Sequence, residues 1–174
     1  MNAVERMNRI AVISDSHDRL ENIRRFVETA RREGVEAVIH AGDIISPFAL
    51  RELRGLRVYA VYGNNDGEKL LLSRVAAEMG FVISEPPLFL SLGGREIAVV
   101  HGASTPADTA RLAEALARSG MFHVVVYGHT HQLDVRKVGE TLVVNPGTLS
   151  GYLAGRATFA IVNLETLEVE ILEV

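Results

Sequence analysis

The sequence predicts an α/β protein in which two mixed β-sheets pack as a sandwich flanked by helices, with an antiparallel meander of strands at the C-terminal end. Three observations carry that class. A strand, a polar loop and a helix follow one another three times between residues 9 and 80, the pattern of parallel strands joined by right-handed crossovers. A Gly93-Gly94 turn between two apolar runs signals a hairpin. From Gln132 onward, strand and turn patterns alternate with no helical stripe.

In chain order, Arg9 to Ser14 is apolar with little alternation, as in a strand covered on both faces, and Asp15-Ser16-His17-Asp18 ends it. Asp18 reads as an N-cap, with Glu21 three residues on, for a helix whose stripe is Leu20, Ile23, Phe26, Val27 and Ala30 and which stops before Gly34. The second unit is Ala37 to His40, the loop Ala41-Gly42-Asp43, and a short helix opened by Ser46-Pro47 and stopped at Gly55. The third is Val58 to Tyr62, the loop Gly63-Asn64-Asn65-Asp66, and a helix from Glu68 to Met79 ending at Gly80. Phe81 to Ser84 and Pro86-Pro87 lead into the hairpin strands Leu88 to Leu92 and Glu96 to Val100, closed by His101-Gly102. Thr105-Pro106 starts a helix through Arg118, and a strand from Val124 to Tyr127 runs into Gly128-His129-Thr130-His131. Leu133 to Val138, Thr141 to Val144, the Asn145-Pro146-Gly147-Thr148 loop, Ala157 to Asn163 and Val169 to Leu172 complete the meander.

Composition narrows the function classes. A chain of 174 residues that is 48% hydrophobic suits one domain over residues 1–174 with a sizeable core. A net charge of −4 argues against coating nucleic acid or anionic membrane by bulk electrostatics. No cysteine is present, so disulfides and thiolate metal sites are excluded. The polar opening from Met1 to Asn8 and the short apolar run after it carry no targeting signal or span, so a soluble, cytoplasmic protein is expected; an oligomer is possible but its state is not readable.

The chemistry lies in where the polar loops fall. Asp15, His17, Asp43, Asn64, His101, His129 and His131 all sit just past the carboxyl end of a predicted strand, the edge at which open α/β sheets bind ligands. In extended backbone His129 and His131 would point to one face, so both imidazoles could reach one point. This oxygen and nitrogen mixture suits manganese, iron, zinc, cobalt or nickel better than calcium, and seven side chains suit two ions better than one. Asp43, in a central loop, is the natural bridge. Two divalent cations against the carboxylates of Asp15 and Asp43 leave about two surplus positive charges, or about one with a hydroxide, so the site calls for an anion. Two metals about 3.5 to 4 Å apart can activate a bridging water for in-line displacement at phosphorus, which makes phosphate ester hydrolysis the leading chemistry.

The order Asp-x-His at 15 to 17, Gly-Asp at 42 to 43, Gly-Asn-x-Asp at 63 to 66, His-Gly at 101 to 102 and Gly-His-x-His at 128 to 131, followed by Asn-Pro-Gly-Thr, resembles the calcineurin-like metallophosphoesterases, in particular their small single-domain phosphodiesterase branch. The resemblance implies a pair of β-sheets sandwiched between helices. It also implies that Asp15, His17, Asp43 and His131 hold one metal and Asp43, Asn64, His101 and His129 the other, with two divalent ions, manganese first among them, serving a small phosphodiester substrate. Many members of the wider family place a histidine after the asparagine ligand, where it can protonate the leaving group; here Asn65 stands there, and an amide cannot. General acid catalysis is worth ~10²–10⁴-fold, so activated aryl diesters should be preferred over alkyl ones, with Asn65 left to hydrogen-bond a phosphate oxygen.

Plainer readings stand beside these. Gly42-Asp43 and Gly63 to Asp66 are turn sequences in isolation. His40 and His123 fit packed strand histidines, although His40 could also support the Asp43 loop. Asp66 fits either a partner for a ligand histidine or a cap for the following helix. Asn145-Pro146-Gly147 reads as a turn buttressing the site, the 67–87 segment could cover part of it, and Arg19 and Lys69 receive no role. The competing function is a non-catalytic interaction scaffold on the same fold, as in the retromer subunit that resembles these enzymes.

Overall fold

The structure, a computed structural model, describes residues 7–174, so residues 1–6 of the polar opening lie outside the described part. Its elements run β1 (Arg9–Ile13), α1 (Leu20–Arg32), β2 (Ala37–His40), α2 (Pro47–Glu52), β3 (Val58–Val61), α3 (Lys69–Met79), β4 (Val82–Ser84), β5 (Leu88–Leu92), β6 (Arg95–Val99), α4 (Pro106–Arg118), β7 (Val124–Val126), β8 (Leu133–Val138), β9 (Thr141–Pro146), β10 (Thr158–Asn163) and β11 (Val169–Glu173). One sheet has the order β11-β10-β1-β2-β3-β4 and the other β5-β6-β7-β9-β8. Strands β1 to β4 are parallel, as are β6, β7 and β9, while β10 and β11 join the first sheet, and β5 and β8 the second, by antiparallel pairing.

Strand periodicity explains the layers. Alternate side chains of β1 leave on opposite faces: Ile10 and Val12 pack between the sheets with Ile39, Val61, Val99 and Val126, whereas Ala11 and Ile13 face α1, α2 and α3. Both faces are therefore apolar, and the missing alternation is the signature of that cover. The stripe of α1 closes the helix side, with the Phe26 and Phe159 rings edge-on at 5.0 Å. On the far side α4 packs Ala113 and Ala117 against Ala98, Val125 and Val143. Each large side chain fully buried this way contributes about 1.5–3 kcal/mol.

Two expectations change. Asp18 does not cap α1; the cap position is Arg19, without a side-chain bond, and Asp18 Oδ1 instead accepts from Ser46 N (3.1 Å) and Ser46 Oγ (2.6 Å). A left-handed φ of 54° turns Asp18 away from the helix and toward the Asp43 loop. The tail strands are antiparallel, but they form two hairpins on different sheets rather than one meander. Between them the chain passes the end of β1, where Leu149 N donates to Ser14 O (2.9 Å) and Ser150 N to Asp15 O (3.2 Å), and so delivers β10 to the open edge of β1.

The consequence for function is positional. The carboxyl ends of β1, β2 and β3 in one sheet and of β6 and β7 in the other meet at one edge of the sandwich. Hydrogen bonds stitch that edge: Asp15 N to Gly42 O (2.9 Å), His17 N to Asp43 O (3.1 Å) and Gly128 N to His101 O (2.9 Å).

Candidate metal centre

All seven side chains singled out by their strand-end positions come together at this edge. Asp43, almost fully buried, lies between two groups: its Oδ2 is 3.4 Å from His17 Nε2 and its Oδ1 is 3.5 Å from His101 Nε2. On the His17 side, His131 Nε2 is 3.2 Å from Asp15 Oδ1, and the His17 and His131 rings are 5.2 Å apart. On the His101 side, Asn64 Oδ1 is 2.8 Å from His101 Nε2 and 3.0 Å from His129 Nδ1. The ligand atoms of Asp15, His17 and His131 lie within 4.8 Å of one another, as do those of Asp15, Asp43 and His101.

Backbone conformation makes this convergence possible. Asp15 (φ 53°), His17 (40°), Asp43 (60°), His129 (68°) and His131 (58°) are all left-handed, a conformation that costs a non-glycine residue about 1–2 kcal/mol. The extended-backbone expectation for His129 and His131 is therefore overturned: with both residues left-handed, the imidazoles diverge, His129 toward Asn64 and His131 toward Asp15. Close approach does the rest. A Cβ on Gly63 would collide with Asp43 Oδ1, and one on Gly128 with Ser14 Oγ, so only glycine lets these loops draw in.

The donors and acceptors fit a cation. His101 Nδ1 donates to Ala41 O (2.7 Å) and His131 Nδ1 to Tyr152 O (2.8 Å), since a carbonyl can only accept; each ring then turns its other nitrogen's lone pair inward. His129 Nε2 lies 3.3 Å from Ser104 O, which frees its Nδ1 in the same way. Ser14 Oγ (2.5 Å) and His129 N (3.0 Å) both donate to Asp15 Oδ2, while buried Asp15 Oδ1 and His17 Nε2 have no hydrogen-bond partner. Lone pairs thus converge on a space with no donor to satisfy them, which a divalent ion would do. Burial would raise the Asp15 carboxyl, but His131, His17, the nearby charge of His101 and the Ser14 hydroxyl hold it well below the usual carboxylate range. Asp15 in turn raises His131.

A sequence model of the calcineurin-like phosphoesterase superfamily domain matches residues 8–167. The chain belongs to that superfamily. It is 37% identical over 163 residues to a protein named phosphodiesterase from Methanocaldococcus jannaschii, covering 92% of this chain and 95% of that one. The solved structure of an archaeal phosphodiesterase superposes with a TM-score of 0.87 at 34% identity, over 95% of this chain and 99% of that one. Vps29 from Entamoeba histolytica superposes at 0.69 with 19% identity, over 95% and 99% of the two chains, a likeness of fold alone. This phosphoesterase superfamily domain has two mixed sheets flanked by helices, as its sequence predicts, with Asp and His groups placed to hold metal. Among the described residues, no helix is long and apolar enough to cross a membrane.

Several supports of the phosphoesterase site escape sequence reasoning. Asp66 neither partners a histidine nor caps α3. Its Oδ2 accepts from Asp43 N (3.0 Å) and Gly63 N (2.7 Å), and its Oδ1 from Ile45 N (2.7 Å), so one buried carboxylate ties the Asp43 loop to the Asn64 loop. Burial pushes its pKa up against these three N–H bonds. Replacing Asp66 with asparagine sets an NH₂ against an N–H and should destabilise the protein by about 1–3 kcal/mol; denaturant unfolding, with a metal titration for the accompanying loss of affinity, checks it.

His40 packs in β2 and also supports the site: its Nδ1 accepts from Gly42 N (3.2 Å), leaving Nε2–H for Ser16 Oγ (2.9 Å), and burial lowers its pKa to about 4, so the ring stays neutral. His123 departs from the packed-strand reading: it is exposed, precedes β7, and accepts from Glu96 N (3.0 Å). Asn145 does buttress the site, donating from Nδ2 to Gly128 O (3.1 Å) and Thr130 Oγ1 (2.9 Å). Asn65 donates to Asp43 twice, from N to Oδ1 (2.9 Å) and from Nδ2 to Oδ2 (2.8 Å). The 67–87 segment walls the site: Lys69, paired with Glu85 at 2.8 Å and lying 5.2 Å from the Tyr62 ring centroid, bounds a cleft of ≈ 440 Å³ that opens beside Asn64, His101 and His129.

Proposed function

We propose that the protein is a metal-dependent phosphodiesterase whose centre takes two divalent ions, manganese the best suited, one at Asp15, His17, Asp43 and His131 and the other at Asp43, Asn64, His101 and His129. The observation that carries this reading is the pair of buried, partnerless atoms, Asp15 Oδ1 and His17 Nε2, beside a carboxylate that reaches histidines on both sides. When bound, such ions supply Lewis acidity, an activated water and charge stabilisation for in-line displacement at phosphorus. The chain's own part is to orient. Ala41 O, Tyr152 O and Ser104 O set the histidine tautomers, and Asp66 and Asn65 hold the Asp43 loop.

The relatives named phosphodiesterases support diesters as the substrate class, and the cleft beside Asn64 leaves room for a second ester arm. Asn65 can hydrogen-bond but cannot donate a proton, which favours diesters whose leaving group departs unprotonated. The test is a matrix of divalent metals against aryl and alkyl mono- and diesters. Aryl diester hydrolysis that requires added metal, highest with manganese, is expected. A folded protein that binds these metals and hydrolyses no ester with any of them would instead favour the scaffold reading.

A further inference from the structure

We propose that Tyr152 is the specificity residue of this site and that the substrate is a diester carrying a planar aromatic arm, which stacks on the Tyr152 ring. The proposal rests on the phosphodiesterase reading and adds to it a substrate feature.

Tyr152 is 59% exposed, yet it is not a stray surface side chain. Its carbonyl accepts from His131 Nδ1 (2.8 Å), so the residue is fixed to one of the metal-facing histidines. Its ring centroid is 6.1 Å from that of His131 and 6.3 Å from that of His17. Both rings are tilted against it, at 67° and 59°, so neither stacks flat on its face. The backbone around it is held by a local turn: Tyr152 N donates to Ser150 Oγ (3.1 Å), and Gly155 N to Gly151 O (3.1 Å). The result is a large aromatic face, anchored at its backbone and presented to solvent beside a polar centre. Leaving such a face uncovered forgoes burial that a core position would give.

Position decides what should cover it. Tyr152 flanks the His17 and His131 end of the centre, whereas the Tyr62, Lys69 and Glu85 cleft opens at the Asn64, His101 and His129 end. A diester whose phosphate sits over the centre that Asp43 divides would project two arms, and these two surfaces lie on different sides of that point. The cleft carries the Lys69–Glu85 ion pair, whereas Tyr152 presents an exposed aromatic ring beside the centre, so that ring is the surface suited to an apolar, flat group. Stacking on an exposed aromatic tolerates many ring systems, which points to a class of aromatic arms rather than a single compound.

Non-hydrolysable phosphinates separate this from catalysis. Calorimetry on the manganese-loaded protein should show methyl(phenyl)phosphinate binding more tightly than dimethylphosphinate by about 5- to 150-fold. Tyr152→Ala, which keeps the carbonyl that accepts from His131 Nδ1, should erase that ratio, and Tyr152→Phe should retain it. Equal affinity of the parent protein for both phosphinates, or a Tyr152→Ala variant that keeps the ratio, overturns the proposal and leaves the phosphodiesterase reading in place. Binding of neither phosphinate to protein that holds manganese overturns both.

Discussion

Asp43→Ala is expected to lower metal-supported diester hydrolysis by at least about 10³-fold, since charge stabilisation by bound cations is worth several kcal/mol. Asp43 carries the side chain that faces both halves of the centre, 3.4 Å from His17 and 3.5 Å from His101. Its removal also strips both acceptors from Asn65. The loop itself should hold, because the backbone contacts of residue 43 with Asp66 and His17 do not involve its side chain. Alanine must still occupy a φ of 60°, which costs about 1 kcal/mol and should appear as a small loss of stability. Asp43→Asn tolerates that conformation and keeps the shape without the charge, so it separates the two contributions. Metal content and activity measured together decide the matter: an alanine variant retaining a tenth of the parent rate, or a full complement of both metals, would show that Asp43 does not bridge.

How far the sequence could be read follows a physical line. Strand-end loops carrying Asp15, Asp43, Asn64, His101 and His129 are legible because buried parallel strands announce themselves by apolar runs and the polar residue that ends each run must lie at the sheet edge. Local backbone conformation is not so written. Nothing in Gly128-His129-Thr130-His131 states that both histidines are left-handed, and the assumption of extended backbone would aim them at one point. Asp66 is illegible for a different reason: two of its three partners, Asp43 N and Ile45 N, are backbone groups more than twenty residues away, and a backbone donor leaves no residue type to search for. The anchors Ala41 O and Tyr152 O share that invisibility. The sheet switch before β10 depends on hydrogen bonds from Leu149 and Ser150 to the end of β1, which turn chemistry alone does not encode.

Asn65→His is expected to raise alkyl diester turnover about 10²-fold while changing aryl diester turnover little, because a general acid matters only when the leaving group is a poor one. Position 65 can take the larger ring, being exposed at the mouth of the site. Its backbone N–H bond to Asp43 Oδ1 would persist, and the amide bond to Oδ2 would be lost, so part of the gain is offset if that bond steadies the Asp43 carboxylate. The pH profile distinguishes acid catalysis from mere repositioning. A histidine acting as acid must be protonated, so the added alkyl activity should fall as pH rises through the imidazole pKa, ordinarily near 6.5, whereas aryl activity should show no new basic limb. An unchanged ratio of alkyl to aryl rates, or a gain shared by both without that limb, would mean that proton donation is not what Asn65 withholds.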